Sequence, residues 1–450
     1  MEKTNVLIIG GSAAGIVSAV TGKSYYPDKE FLLIRKEKKV IVPCGIPYIF
    51  GSLENSDKDV IPDAVLDKAG IKLKIGEVVS IDQKNKVCKT DDGSEYSFEK
   101  LIIATGSKPN VPKWLKGAKL ENVFTIPKDK IYLDKLFNKL KNYKKIVVIG
   151  GGFIGVEMSD EINKMNKDVT LVEILPHILG LVFDEEIAVK AEEIIKSRGI
   201  MVKANAGVKE ILGDKKATGV LLNNGEKLEA DAVILAMGYQ TNISLAEKSG
   251  IKINKMRFIK VDEYMRTDNK DIFSVGDCAE KRDFITKEPS RIMLASTACA
   301  EARIAGINLY KLSLVKTFSG TVPVFSTALG ETGFGMAGIT ENQAVKEGLD
   351  IVTGVFEGID KHPGKMPETH KQIVKLIADR KSGIQLGGEV VGGLSTAEIT
   401  NLIGLAIQNR MSVNLIFTMQ IGTHPLLTAP PTAYPFIKAA ESILKKMRNK

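Results

Sequence analysis

Two stretches of this chain repeat one pattern, and that repetition constrains the fold more than any other feature. Asn5–Gly15 reads NVLIIGGSAAG and Lys145–Gly155 reads KIVVIGGGFIG. Each is a short apolar run, a glycine-rich turn and the start of a helix. Small residues in such a turn let the backbone approach a pyrophosphate, and the helix N-terminus faces the phosphate charge. The downstream halves repeat as well. Asp92-Gly93-Ser94, followed by Leu101–Gly106, is echoed by Asn224-Gly225-Glu226, followed by Val233–Gly238. Gly10 and Gly150 lie 140 residues apart, and Ala104 and Ala236 lie 132 apart. An internal duplication at this spacing predicts two nucleotide-binding α/β folds in one chain.

The two copies differ in detail. The first has Gly10, Ser12 and Gly15 at its three small positions. Its second strand, Phe31–Ile34, lacks the terminal acid that holds an adenosine ribose and runs on as Arg35-Lys36-Glu37. Either Glu37 is a displaced acid, or the ribose is held by backbone and the Arg35 side chain. The second copy is complete, with Gly150, Gly152 and Gly155. Its strand Val169–Glu173 ends in an acid 21 residues beyond Gly152. A carboxylate there repels a 2′-phosphate, so NADH is expected ahead of NADPH.

Between the two glycine turns lies Val42-Pro43-Cys44-Gly45-Ile46-Pro47-Tyr48. No second cysteine stands at a useful spacing; residue 49 is Ile. The run from Ile46 is read as opening a helix, whose N-terminal dipole would favour a Cys44 thiolate. The four cysteines, Cys44, Cys88, Cys278 and Cys299, are too few and too scattered for a disulfide framework or a structural metal site, so no metal is expected.

Other elements follow from texture. Asp63–Gly70 reads as helix, and Lys72–Ile81 and Tyr96–Ile103 as strands. Asp271–Asp277 reads as a strand ending in Gly276-Asp277, an acid placed to accept from sugar-alcohol hydroxyls. Leu294–Tyr310 is a helix of small residues. From about Phe318 the texture changes to an antiparallel sheet: Val324–Glu331, Met336–Ile339, Ile351–Phe356, Gln372–Asp379 and Ile384–Val391. Helices are expected at Thr396–Gln408, Val413–Gln420 and Phe436–Met447. Prolines in the run from Gly422 to Pro435 prevent a continuous helix before the last of them.

The net charge is +9, spread along the sequence without a dense basic block, which argues against nucleic acid and mildly favours phosphate-bearing ligands. No stretch reaches ~18 apolar residues, so no membrane span is expected. The chain enters Val6–Ile9 without a basic region and cleavage site before it. The expected location is the cytoplasm.

Taken together and in this order, GGSAAG, VPCGIPY, ATGSKP, GGGFIGVE with Glu173, and Val275-Gly276-Asp277 resemble the FAD-dependent pyridine nucleotide-disulfide oxidoreductases. The single Cys44 resembles their one-cysteine branch: coenzyme A disulfide reductases, NADH oxidases and peroxidases, and NAD(P)H-dependent sulfur, polysulfide or persulfide reductases. The resemblance implies two Rossmann-like domains plus a C-terminal α+β dimerisation domain. It divides the chain into an FAD domain at 1–113 and 243–317, an NAD(P)H domain at 114–242, and a dimerisation domain at 318–450. FAD would lie along Gly10, Ser12, Ala14, Gly15, Arg35, Pro43, Thr105, Gly106, Asp277 and Ala295. NAD(P)H would lie along Gly150, Gly152, Phe153, Ile154, Gly155, Glu157, Glu173 and Gly238, with Phe153 gating the flavin. Cys44 would be the redox thiol. His424-Pro425 is similar to the C-terminal His-Pro of the two-cysteine reductases, so His424 or Tyr434 of a partner subunit would protonate a departing sulfur.

The implied reaction passes a hydride from NAD(P)H through FAD to oxidised Cys44, which reduces a small disulfide, persulfide or polysulfide. The alternatives are an NADH oxidase or peroxidase, an electron-transfer reductase for a small redox protein, and a redox-sensing flavoprotein.

Overall fold

The computed structural model describes residues 1–316 and 319–449. Two five-stranded parallel sheets organise its first two-thirds. In the first, the order is Ile272–Ser274, Lys100–Ile103, Val6–Ile9, Phe31–Arg35, Lys72–Ile75. In the second, it is Val123–Thr125, Ala232–Leu235, Lys145–Ile149, Asp168–Val172, Met201–Lys203. Four of the five strands, all but the first named, follow the same order in each sheet, as the duplication predicts. Each fold also carries an antiparallel flap: Val78–Asp82, Val87–Thr90 and Glu95–Ser97 in one, Val208–Gly213, Ala217–Leu222 and Lys227–Glu229 in the other.

The edge strands show how one fold interrupts the other. Ile272–Ser274 pairs with Lys100–Ile103, although the whole second sheet lies between them in sequence. The two crossings between folds lie side by side as an antiparallel ribbon, Ser107–Pro109 against Tyr239–Thr241. Strand interiors such as Val6–Ile9 and Ala232–Leu235 are apolar and fully buried, as expected of parallel strands covered on both faces.

The third unit is a five-stranded antiparallel sheet: Val324–Leu329, Thr332–Gly338, Gln385–Gly392, Lys371–Asp379, Ile351–Ile359. Helices Thr396–Gln408 and Pro435–Arg448 share its core through Ile403, Ile407, Phe436 and Ile443. The expected change of texture at Phe318, and with it the 317/318 boundary, lies outside the described residues. The helix expected at Val413–Gln420 is shorter, Val413–Phe417. Among the described residues no helix is long and apolar enough to cross a membrane.

A buried ion network docks this unit onto the second fold. Lys375 Nζ lies 2.8 Å from Asp184 and 2.8 Å from Glu341, and also pairs with Glu186. Glu389 accepts from Asp184 N–H at 2.7 Å. Burial and the neighbouring Asp184 charge push the Glu389 carboxyl well up.

Candidate functional site

The two glycine turns have matching geometry. Gly10 and Gly150 have φ of +111° and +109°. A Cβ on Gly10 would stand 2.2 Å from Ala104 O, and one on Gly150 would stand 2.4 Å from Ala236 O. Both turns are thus pressed against the neighbouring strand end, and no larger residue fits.

The turns lead into helices Ala13–Tyr25 and Phe153–Asn163. Ser12 and Gly152 are their N-caps, and neither helix has a side-chain cap bond. Nothing lies within 4 Å of where a Cβ on Gly152, Gly106 or Gly238 would project. Uncapped N–H groups beside open space fit the phosphates of a dinucleotide, in both folds. Asp277 follows the far edge strand, Ile272–Ser274, in the turn Gly276–Cys278. A Cβ on Gly276 would stand 3.0 Å from Ala14 Cβ, so the Gly276–Cys278 turn packs directly on the first helix. Helix Ala295–Ile307 likewise begins without a side-chain cap.

Arg35 departs from expectation. Its side chain is buried and lies under the first turn, as Glu173 lies under the second. Hypothetical Cβ atoms on Gly11 and Gly151 would meet Arg35 Cδ at 2.4 Å and Glu173 Oε2 at 2.9 Å. The Arg35 guanidinium spends four of its five N–H donors within the protein: Nε donates to Glu37 O, and the terminal nitrogens donate to Lys38 O and both oxygens of Asp63, at 2.6–2.8 Å. It braces the loop before Cys44, and its side chain is 0% exposed, away from any ribose in solvent. Glu173 is 9% exposed and accepts from Gly151 N at 2.6 Å and Leu175 N at 2.8 Å.

Cys44 is exposed. The helix expected from Ile46 is absent. Pro43–Gly45 and Pro47–Ile49 are single 3-10 turns, each opening on proline, and they provide no extended dipole. Apart from its exposed edge the thiol is enclosed by protein. That loss of water pushes its pKa up, with Glu157, Asp277 and Asp59 acting the same way and Lys128 opposing. Asp59 sits beneath the turn. A Cβ on Gly45 would be 1.8 Å from Asp59 Oδ1, and Asp59 Oδ2 is buried without a partner. Burial raises the Asp59 carboxyl to about 6.

The second fold's helix forms the other wall. Phe153 packs on Phe325 of the third unit, ring centroids 4.9 Å apart. Glu157 accepts from Thr327 Oγ1 at 2.6 Å. Burial raises its carboxyl to about 7, Thr327 lowers it and Glu161 raises it. Burial, with Glu157 next, also pushes the Tyr48 phenol up to about 12.

His424 and Tyr434 lie on the third unit. His424 is exposed in a turn closed by Leu427 and Thr428 N–H groups on its carbonyl. Leu426 N–H donates to its Nδ1 at 3.3 Å, which leaves the neutral ring's proton on outward Nε2. Tyr434 packs on the third unit's core, and burial raises its phenol. The four leading charges that act on Cys44, Glu157, Lys128, Asp277 and Asp59, come from the two nucleotide folds.

The profile of the pyridine nucleotide-disulphide oxidoreductases matches residues 4–302, and that of their dimerisation domain matches residues 324–434. The chain belongs to this family. It is similar to an NADH oxidase of Methanocaldococcus jannaschii, at 31% identity over 99% of each chain. It is also similar to an NAD(P)H coenzyme A polysulfide/persulfide reductase of Pyrococcus horikoshii, at 29% identity over 92% of this chain and 94% of the other. A solved NAD-dependent persulfide reductase from A. fulgidus superposes with a TM-score of 0.91 at 27% identity, covering 99% of this chain and 84% of that one. Members of the family are NAD(P)H-dependent flavoprotein oxidoreductases, and this chain is one of them, with FAD and NAD(P)H as its cofactors. Sequence reasoning missed Lys128, Asp59 and Thr327, because none sits in a motif, and Ser107, which sits in ATGSKP but meets its partner Asp277 only across 170 residues.

Proposed function

We propose that this flavoprotein reduces a small disulfide, persulfide or polysulfide through Cys44, with NADH the preferred donor. The observation that carries the reading is the meeting of charges at one thiol: Asp277 from the first fold and Glu157 from the second both act on Cys44. A thiol so placed lies where the two cofactor sites converge. The relatives named for polysulfide and persulfide reduction support the substrate class. Bound FAD would accept a hydride from NADH and pass the electron pair on to sulfur.

The chain's own residues do the rest. The first fold, taken as 1–113 with 243–317, would hold FAD on the Ser12 and Ala295 helix ends, Asp277 and the backbone of Pro43, Thr105 and Gly106. The second, 114–242, would hold NADH on the Phe153 helix end, with Ile154 and Gly238 beside it and Glu173 at the ribose. Cys44 as thiolate attacks a substrate S–S bond. That bond breaks, a mixed disulfide or persulfide forms on Cys44, and the departing sulfur takes a proton. His424 or Tyr434 of a second subunit, docked through 318–450, is the assigned proton source. One cysteine suffices because the substrate brings the second sulfur. Four free thiols suit a reducing cytoplasm.

An NADH-oxidation screen over coenzyme A disulfide, a persulfide, a polysulfide and O2 tests this, with peroxide and sulfide measured as products. A Cys44→Ser variant that keeps full sulfur reduction sinks the proposal. The second reading, an NADH oxidase, is favoured by the 31% identical relative of that name. It predicts turnover with O2 alone.

A further inference from the structure

We propose that His362 is a positioning residue for the proton source: its backbone N–H and its ring Nδ1 clamp the turn 424–428 onto the third unit's sheet, and so fix the direction in which His424 presents its Nε2–H. Its weight for the reaction rests on reading His424 as the proton source.

His362 stands on the loop between strands Ile351–Ile359 and Lys371–Asp379. Buried Asp360 and His370 close that loop at its base. Asp360 accepts from His370 N–H at 2.7 Å, His370 Nδ1 lies 3.1 Å from its other oxygen, and Asp360 N–H donates to His370 O at 3.1 Å. Within the loop, Met366 N–H donates to Pro363 O at 3.0 Å, Thr369 Oγ1 to Met366 O at 2.6 Å and Lys361 Nζ to Pro367 O at 2.9 Å. These bonds give the loop a shape of its own on the end of the sheet, and they make His362 a fixed anchor.

The turn that carries His424 is bonded within itself. Leu427 and Thr428 N–H groups donate to His424 O at 3.1 and 3.0 Å, and His424 N–H donates to Thr428 Oγ1 at 3.0 Å. Its attachment to the rest of the chain is sparse. Residues 424–427 are exposed, and nothing lies within 4 Å of where a Cβ on Gly422 would project. Among the described residues, the hydrogen bonds that tie this turn to another element both come from His362. Its N–H donates to Pro425 O at 3.0 Å, and its Nδ1 lies 3.0 Å from Thr428 O. A carbonyl oxygen only accepts, so Nδ1 carries the proton, and the bond is kept whether the ring is neutral or charged.

The internal bonds fix the shape of the turn, and the His362 bonds fix where that shape points. Inside it, Leu426 N–H donates to His424 Nδ1, so the ring faces the turn with Nδ1 and presents Nε2–H outward. A donor to a departing sulfur has to stand at hydrogen-bond distance from it. A turn swinging on the sheet would carry Nε2–H out of that reach.

The test reads the turn and the reaction separately, in the FAD-loaded full chain. Hydrogen–deuterium exchange is followed by mass spectrometry on the peptide spanning 421–430. In wild type, opening the turn also breaks the Thr428 bond to the His362 ring. His362→Leu keeps the backbone bond and loses the ring bond, so exchange there becomes about five- to ten-fold faster. Peptides from strand Lys371–Asp379 stay as in wild type. In His362→Asn the side-chain amide N–H stands where Nδ1 stood and restores most of the protection. His362→Phe keeps a ring without the donor, and it replaces the Leu variant if that one does not fold or retain FAD. With inorganic polysulfide as acceptor, kcat of His362→Leu falls about ten-fold while KM for NADH holds, and His362→Asn recovers most of the rate. In a His424→Gln background, His362→Leu lowers kcat no further. Equal exchange over 421–430 in wild type and the variant without the ring donor overturns the inference. Faster exchange with unchanged kcat, where His424→Gln does lower kcat, overturns it as well. Wild-type turnover by His424→Gln would instead remove the proton-source reading and the positioning role with it, and exchange in the turn would still show the clamp.

Discussion

Glu161, on the helix that follows the second glycine turn, accepts from Ser52 N–H at 2.6 Å and Ser52 Oγ at 3.0 Å, on the loop that carries Cys44. Its carboxylate is 2% exposed and also takes Lys164 Nζ at 2.6 Å. The thiol loop of the first fold is thereby tied to the helix that positions Phe153 and Glu157. Glu161→Ala removes a buried, charged acceptor shared by the Ser52 N–H, the Ser52 hydroxyl and the Lys164 ammonium. The expected cost is roughly 2–3 kcal/mol, read by urea denaturation, with faster proteolysis near Ser52.

Glu157 titrates close to neutrality because burial raises it to about 7. Below that pH it is neutral. Above it, its charge opposes ionisation of Cys44. Glu157→Gln should therefore lower the pH at which Cys44 ionises, and the thiolate absorbance near 240 nm follows this. Thr327→Val removes the hydrogen bond that favours the charged carboxylate and moves Glu157 further up. A thiolate titration unchanged in Glu157→Gln contradicts the placement of that charge.

The parts of this molecule that were legible in the sequence are those set by local pattern. The duplicated turns, the fully apolar strands and helix Thr396–Gln408 follow from spacing and periodicity. The helix expected from Ile46 does not form. Pro43 and Pro47 instead limit each segment to one 3-10 turn. Arg35 was offered to the ribose because its partner Asp63, 28 residues on, leaves no local signal. Ser107 and Asp277 are 170 residues apart and meet only after the second fold has been inserted between them. Long-range polar contacts of this kind are products of packing, and no periodicity announces them.

Asp59 gives a stability test with a definite sign. Folding raises its carboxyl to about 6, from ~3.9 in an unfolded chain, because it is buried without a partner. The folded state thus holds this proton more tightly. The group's contribution is favourable at acid pH, is lost as pH rises through about 4 to 6, and leaves a penalty on the order of 2–3 kcal/mol above that. Asp59→Asn should be more stable than wild type at pH 7.5 and nearly equal at pH 4. Denaturation midpoints at both values check it, and an equal difference at the two would falsify the assignment.

Glu173 should set the choice of nucleotide. Its carboxylate orders the second turn through Gly151 N–H and Leu175 N–H, and under the proposed function its remaining lone pairs would take the ribose hydroxyls. Glu173→Ala removes both, so kcat/KM for NADH should fall roughly ten- to hundred-fold. NADPH, freed of charge repulsion, should fall less or rise. Steady-state kinetics with both donors decide it, and a parallel fall for the two points to turn geometry alone.

Lys375 is the cation among Asp184, Glu186, Glu341 and Glu389, and its side chain is 4% exposed. Its ammonium, with the Asn342 and Glu341 N–H groups, outweighs burial and holds the Asp184 carboxyl below its usual range. Asp184 therefore contributes stability above its unfolded pKa and loses it as pH falls through its lowered folded value. Lys375→Met leaves several carboxylates facing one another across the junction of the second fold and the third unit. The expected loss is about 3–5 kcal/mol at pH 7.5. It should shrink toward pH 5, as Glu389 takes up a proton and the repulsion fades. Thermal unfolding of the variant at both pH values measures this, and a deficit that grows on acidification would mean that Lys375 acts through packing instead of charge.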